Sequence, residues 1–381
     1  MGKVKIAELY GGSFYNKGAE LMVTACSEEL ASWSDSWTLA MDWTVGAYTE
    51  RARRGFVNKV DFKSLKKFSH LPAEFCPQKI KMRLGIVSKS EISHVLDISG
   101  FGYSDQWGTE FAKIMYHRAN SASSKNESYY LLPQAYGPFT DPKLADMCRG
   151  YFDKAKTIYV RDKSSMHHMK KLMGDDERLN LCPDFTCLVQ PDENMSPTDK
   201  SYACIVPNCR MLDKRHGNLG GKYLSSLIKA VNHISVKGLT PVIVNHEGPD
   251  DLKLVRELEK QAAASCIVIE GGDAKQLKGI FTKAKFVLGS RYHALISGLS
   301  QGVPVIGTGW SHKYEELFSD FNIKELLIDI GQEDSEFIES IDLVLDPNER
   351  ELIIERIRKS ADVYKKETEK MWGNIKSLMQ Q

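Results

Sequence analysis

The stretch FVLGSRYHALISGLSQGVPVIG, Phe286 to Gly307, decides the reading of this chain. Its first residues are an apolar run closed by glycine and serine, the pattern of a buried strand ending in a turn. Small and apolar residues then continue at helical spacing to a glycine stop. Val303 opens a second apolar run that also ends in glycine. Strands of this length alternating with helices indicate a parallel sheet with crossovers. Arg291 and His293 sit at the first turn, where a strand hands over to a helix. Backbone N–H groups at a helix start favour an anion. Arginine adds a planar fork suited to carboxylate or phosphate, and histidine adds a donor that changes charge near neutral pH. A lone arginine there would more often hold a neighbouring carboxylate. The pair, two residues apart at a strand end, favours a site.

The same pattern extends in both directions. Upstream, YACIVPN, TPVIVNHEG and CIVIEGG read as strands, separated by YLSSLIKAVNHISVKG and DDLKLVRELEKQAAA as helices. An earlier series begins with a strand over residues 3–9 and a helix over 19–31. It continues through HVLDISG, YYLLPQAYGPF, TIYVRDKSSMHHMKKLMG and LNLCPDFTCLV. Between the series lies QPDENMSPTDKS, residues 190–201, polar and without apolar period, the best linker candidate. At 381 residues the chain is too long for one ordinary core. These signals predict an α/β protein with an N-terminal domain over 1–190 and a C-terminal domain over 201–347. A long helix over 348–381 follows, with apolar residues at helical spacing, expected to pack back on the first domain.

Bulk charge excludes some functions. Lysine plus arginine is 51 and aspartate plus glutamate is 50, so nothing marks a nucleic-acid binder and any anion site is local. Eight scattered cysteines, with no secretory signal and no membrane-spanning run, fit a reducing, cytoplasmic compartment. Their spacings, Cys182/Cys187 and Cys204/Cys209, are too wide for the usual zinc pairs, so no metal is expected. RARRGFVNKVDFKSLKKF, residues 51–68, carries seven lysines and arginines against one aspartate, interleaved with phenylalanines. A peripheral contact with an anionic membrane and a plain solvated segment both remain open for it.

Several further residues fall at strand ends. VPNCRMLD offers Asn208 and Arg210, and Arg210 would complete a cationic pocket with Arg291. NHEGPDD offers His246 and Glu247, while Asp250 or Asp251 most simply caps the next helix. GTGWSHKYEELF offers Lys313 beyond two glycines, either for phosphate or merely solvated. In the first series, YGGSFYNKGAELM is neither a dinucleotide fingerprint nor a Walker loop. Its Asn16, Lys17 and Glu20 suit either sugar hydroxyls or a helix cap. SGFGYSDQWG and LPQAYGPF offer Tyr103, Asp105, Gln134 and Tyr136 at strand ends, aromatic and amide groups that suit a carbohydrate, although turns alone would explain the glycines and prolines. Asp162 reads as a cap, and Asp184 as a base or a partner for Arg161.

GGSFYNKGAELM, ISGFGYSDQWG, LPQAYGPF, YVRDKSSM, CPDF and above all VLGSRYHALISGLSQGVPVIGTGWSHKYEEL resemble the polysaccharide pyruvyl transferase family. The motifs run in order from about residue 9 to 318. The resemblance implies two Rossmann-like domains arranged as in glycosyltransferase-B enzymes, with the acceptor on the first domain and phosphoenolpyruvate on the second. It implies a sugar or lipid-linked oligosaccharide acceptor at the inner face of the membrane, and no cofactor. Members often have asparagine, glycine and aspartate in the first turn, where this chain has Asn16-Lys17-Gly18-Ala19-Glu20. By the chemistry implied, Arg291 and Arg210 hold carboxylate and phosphate, with Lys313 helping. Asn208, Asn16 and Gln134 line the substrate. His293 or His246 donates the proton, and Glu20 or Asp184 deprotonates the acceptor. Two rivals stand beside it: a nucleotide-sugar-dependent glycosyltransferase of the same fold, and a non-catalytic glycan-binding protein.

Overall fold

The computed structural model describes residues 5–33, 37–60, 71–121, 126–212, 219–309, 312–329 and 335–381. The chain divides into two compact units. The first comprises residues 1–14, 22–185 and 367–381, and the second comprises 15–21 and 186–366.

The first unit is built on eight parallel strands. In chain order these are β1 (Lys5–Tyr10), β2 (Trp37–Asp42), β3 (Val57–Lys59), β4 (Ile86–Val87), β5 (His94–Asp97), β6 (Ser128–Gln134), β7 (Ala155–Val160) and β8 (Leu179–Leu181). Their order across the sheet is β4-β3-β2-β1-β5-β6-β7-β8. The chain thus winds outward from β1 one way, returns, and winds out the other way, so the order reverses at β1 and β5. β6 is buried almost throughout, as a central parallel strand covered on both faces must be. Pro133 lies within it and lacks an N–H, and the register against β7 shifts between Leu131 and Gln134. The stretch read as one strand over 179–189 is shorter. β8 stops at Leu181, Pro183 follows, and Phe185–Leu188 is a 3₁₀ turn.

The second unit carries six parallel strands: β9 (Tyr202–Val206), β10 (Thr240–Val244), β11 (Ile267–Ile269), β12 (Val287–Gly289), β13 (Val305–Thr308) and β14 (Leu327–Ile328). Their order is β11-β10-β9-β12-β13-β14, reversing between β9 and β12. The polar stretch 190–201 lies past the division at 185/186, and its approach is already docked on the second unit. Lys278 Nζ donates to the Thr186 carbonyl at 3.1 Å, and Asp192 N to the Lys275 carbonyl at 3.1 Å. A side chain at Gly279 would strike the Asp192 carbonyl, so the helix Ala274–Lys283 needs glycine there.

The long helix, Pro347–Gln380, serves both units in turn. Ile353, Ile357, Ala361 and Tyr364 belong to the second unit's core. Trp372, Ile375 and Met379 are buried in the first unit, where Trp372 meets Phe185 edge-on at 5.9 Å. There Asn374 Nδ2 donates to Tyr159 Oη at 2.7 Å, and Tyr130 Oη to the Leu378 carbonyl at 3.3 Å. The helix thus reaches the first unit, as expected, through residues 367–380, while its earlier part completes the second unit's core.

The basic segment 51–68 is only partly within the described residues, since 61–68 lie outside them. Two of its cations are internal. Arg51 is buried and donates from Nε to Asn58 Oδ1 at 2.7 Å and from Nη1 to the Gly46 carbonyl at 2.9 Å. Lys59 bonds Glu8, a buried carboxylate in β1 that also pairs with Arg118 at 2.7 Å. Arg118 in turn holds Glu127 at 2.8 Å. Among the described residues no helix is long and apolar enough to cross a membrane.

Candidate functional site

In an open parallel sheet the crevice at the order reversal, outside the carboxyl ends of the strands, is where ligands bind. In the second unit that reversal lies between β9 and β12, with β10 and β13 as the next neighbours. The loops after these four strands carry Asn208 and Arg210, Arg291 and His293, His246 and Glu247, and Lys313. Sheet topology thus gathers residues that are more than 100 positions apart in sequence.

Ser290, fully buried, ties the loops together. Asn208 Nδ2 and Tyr314 Oη donate to its carbonyl at 2.9 and 2.7 Å. Its hydroxyl hydrogen-bonds Tyr223 Oη at 2.8 Å and Thr308 Oγ1. Asn208 Oδ1 also accepts from Arg210 N at 3.0 Å. Both ends of the Asn208 amide are therefore committed to the scaffold, where the sequence suggested a substrate contact. Arg210 itself is exposed.

Arg291 is held by carboxylates. Nε donates to Asp251 Oδ2 at 2.8 Å and Nη2 to Asp251 Oδ1, a side-on fork. Nη1 donates to Glu247 Oε2, and Cys209 Sγ lies 3.9 Å from Nη2. Asp251 also accepts from Cys209 N at 2.9 Å. Burial pushes the Asp251 carboxyl up to about 6, which leaves it ionised at neutral pH. Two expectations change. Asp251 is not a helix cap: the helix Gly248–Gln261 is entered from Glu247, with proline in its first turn, which puts Asp251 too far in. Nor does Arg291 stand open as one wall of a purely cationic pocket, because its fork is filled.

His246 is buried and lies near-parallel to Phe281, with ring centroids 6.2 Å apart. Burial, then the charges of Arg291, His293 and Lys17, hold its pKa well below 6.5, so the imidazole is neutral at physiological pH. That removes it as a ready proton donor. His293 is half-buried beside Tyr292, and the first turn of the helix Lys17–Ser32 crowds against it. A Cβ on Gly18 would lie 2.0 Å from His293 Nδ1. Asn16 caps that helix, accepting from Gly18 N at 2.9 Å and Ala19 N at 3.2 Å, and its backbone bridges Glu247. Glu20 is buried and accepts from Lys17 Nζ at 2.7 Å. Asn16 and Glu20 were expected with the first domain, yet residues 15–21 belong to the second unit. Lys313 Nζ rests over the rings of Tyr292 and Tyr314, at 5.7 and 5.3 Å.

In the first unit, Tyr103 and Asp105 are engaged within the scaffold. Tyr103 and Tyr151 donate hydroxyls to Asp97, the latter at 2.9 Å. Asp105 accepts from Thr140 N, Thr140 Oγ1 and Asp141 N, which closes a turn. Gln134 and Tyr136 are fully buried. Asp162 caps the helix Lys163–Met173 by accepting from Ser165 N at 2.7 Å. Asp184 is buried and pairs with Arg161 at 3.4 Å. Of the two readings for Asp184, the contact is the partner's.

A model of the polysaccharide pyruvyl transferase family matches residues 45–312, a span that includes Asn208, Arg210, His246, Arg291 and His293. The chain belongs to that family. No curated protein matches it in sequence. Solved structures similar to it include S. aureus MnaA with UDP, 14% identical, TM-score 0.62, covering 99% of this chain and 97% of that one. A putative UDP-N-acetylglucosamine 2-epimerase from Listeria monocytogenes is 12% identical, with TM-score 0.61 and coverage of 100% and 97%. The enzyme of that name from Neisseria meningitidis, bound to UDP-GlcNAc, is 10% identical, with TM-score 0.58 and coverage of 99% and 100%. At such identities the likeness shows the fold, which is glycosyltransferase-B-like. Within this cluster, sequence reasoning missed Asp251 as the partner of Arg291. The spacing of Pro249 and Asp251 held the signal, since a proline in the first helical turn leaves the cap to an earlier residue. It also missed Gly18, whose need for glycine depends wholly on a residue 275 positions away.

Proposed function

We propose that this protein transfers pyruvate from phosphoenolpyruvate to two hydroxyls of a sugar, forming a cyclic ketal on a polysaccharide or its lipid-linked precursor. Family membership over residues 45–312 carries the reading. The loops at the second unit's order reversal supply matching chemistry. The reaction begins when a proton adds to the terminal enol carbon and makes it a methyl group, leaving positive charge on the carbon that bears the phosphate. One sugar hydroxyl adds there and gives up its proton. Phosphate then leaves as the second hydroxyl closes the ring, and the departing phosphate can take that second proton.

Three roles follow for this chain. His293 is the better proton donor, because burial keeps His246 neutral. Arg291, Arg210 and Lys313 meet the donor's negative charges. The hydroxyl's proton goes to a carboxylate, a role assigned to Glu20, which lies in the same unit as His293. The donor supplies its own leaving group, so the reaction calls for no redox cofactor.

Mixing the protein with phosphoenolpyruvate and a panel of free and lipid-linked oligosaccharides tests this directly. A product heavier by one pyruvyl ketal, with stoichiometric phosphate release, is expected. Arg291→Ala should abolish both and weaken phosphoenolpyruvate binding; full retention of each would refute the assignment. The likeness to UDP-bound structures favours a second reading, a nucleotide-sugar enzyme. Thermal protection by a UDP-sugar but not by phosphoenolpyruvate would decide for it.

A further inference from the structure

Arg291 presents a charge problem to any incoming anion. Its guanidinium already faces two carboxylates, Asp251 and Glu247, so the three groups together carry one negative charge. A donor with a carboxylate and a phosphate would be repelled unless one of the two gave way.

The two carboxylates are held differently. Asp251 is fully buried, engages both Nε and Nη2, and accepts a backbone bond from Cys209. Moving it would strand a buried charge and an amide, the costly way to break an ion pair. Glu247 has a third of its side chain exposed and reaches the fork only at Nη1. Its side chain caps nothing, although it sits at the N-cap position of the helix Gly248–Gln261. Its backbone, by contrast, is bridged to Asn16. Glu247 can therefore leave Arg291 by side-chain rotation into solvent, with no movement of the loop.

We infer that Glu247 is an exchangeable occupant of the donor site, replaced at Arg291 Nη1 by the carboxylate of the donor, while Asp251 stays as the residue that positions the guanidinium. The inference rests on the functional reading above and adds the orientation of the substrate. One planar carboxylate replaces another on the same fork, so charge and shape at Nη1 are conserved. The donor's phosphate is then left to the other cations of these loops, Arg210 and Lys313. Glu247 also becomes a specificity device. A ligand without a carboxylate gains less by displacing it.

Calorimetric titration of the whole protein with three probes tests this: phosphoenolpyruvate, pyruvate and inorganic phosphate. Glu247→Gln keeps the shape and removes the charge, so competition at Nη1 weakens. Pyruvate and phosphoenolpyruvate should bind roughly tenfold more tightly to the variant, with inorganic phosphate little changed. Unchanged or weaker pyruvate binding, or a gain confined to inorganic phosphate, would overturn the inference. Arg291→Ala separates this from the underlying reading. If it binds phosphoenolpyruvate as the parent does, the donor site itself is misplaced. If it fails to bind while Glu247→Gln changes nothing, only the exchange is wrong. Asp251→Asn adds a positioning readout. It should lower kcat more than it raises KM, and a thermal unfolding scan confirms that the fold survives.

Discussion

A single methyl group at residue 18 would collide with the His293 ring. Gly18 lies in the first turn of a helix, where alanine is normally the better residue. Its backbone has no need of glycine's freedom, so the requirement is purely one of space. Gly18→Ala should therefore leave stability near the parent value, displace the His293 imidazole and reduce kcat by about tenfold or more. A kcat within twofold of the parent, beside an unmoved imidazole, would contradict this. The same scale shows what local reading can do. Arg291 and His293 were visible because residue types alone mark a turn that holds charge. Their partners were not. Asp251 and Glu247 look like ordinary helix-start residues until β10 is placed two strands from β12.

At the scale of elements, the loop after β9 and the turn after β12 are one structure joined through Ser290. Asn208→Asp tests the joint. It replaces the donor facing the Ser290 carbonyl with an acceptor and should cost about 1–3 kcal/mol in chemical denaturation. A loss below a few tenths would mean that the amide is dispensable to the scaffold. The long helix offers a second test. Trp372 is buried against Phe185 in the first unit, so Trp372→Ala should destabilise by about 3–5 kcal/mol. Hydrogen exchange should report that loss in the strands of the first unit before those of the second. Strand–helix alternation was legible through most of the chain, because buried parallel strands are continuous apolar runs. Short strands toward one side of the sheet, such as β3 and β4, three and two residues long, leave too little pattern to read. β8 was overdrawn because the apolar run continues past Pro183 into a 3₁₀ turn.

Over the whole molecule, near-zero net charge hides strongly paired interiors. Glu8 is the clearest case. Burial opposes its charge, but Arg118 and Lys59 outweigh that and lower its pKa from 4.5 to about 2. A depressed carboxylate stabilises the fold fully above the unfolded value and loses that contribution as pH falls through the folded one. Acid unfolding should thus take hold between pH 4.5 and about 2, and Glu8→Gln should remove that part of the pH dependence. The variant should also cost about 3–5 kcal/mol at neutral pH, since a buried guanidinium loses a partner. An unchanged acid profile in Glu8→Gln would show that other groups carry the transition. The division of the chain was only partly legible. Length and two strand series announced two cores, and a polar stretch suggested where to cut. Sequence could not show that residues 15–21 and the two halves of one helix are shared out between the units, because membership depends on three-dimensional neighbours.

That shared helix has a consequence for how the protein comes into being. Residues 5–185 leave the ribosome early with their eight strands complete, yet the sheet lacks the face that Trp372, Ile375 and Met379 cover. The second sheet likewise waits for Ile353 to Tyr364. Neither core can close before its own share of that helix has been made, residues up to 366 for the second unit and from 367 for the first. Truncation ahead of Ile353 should therefore leave apolar surface open in both units, whereas truncation between Lys366 and Trp372 should open the first unit alone.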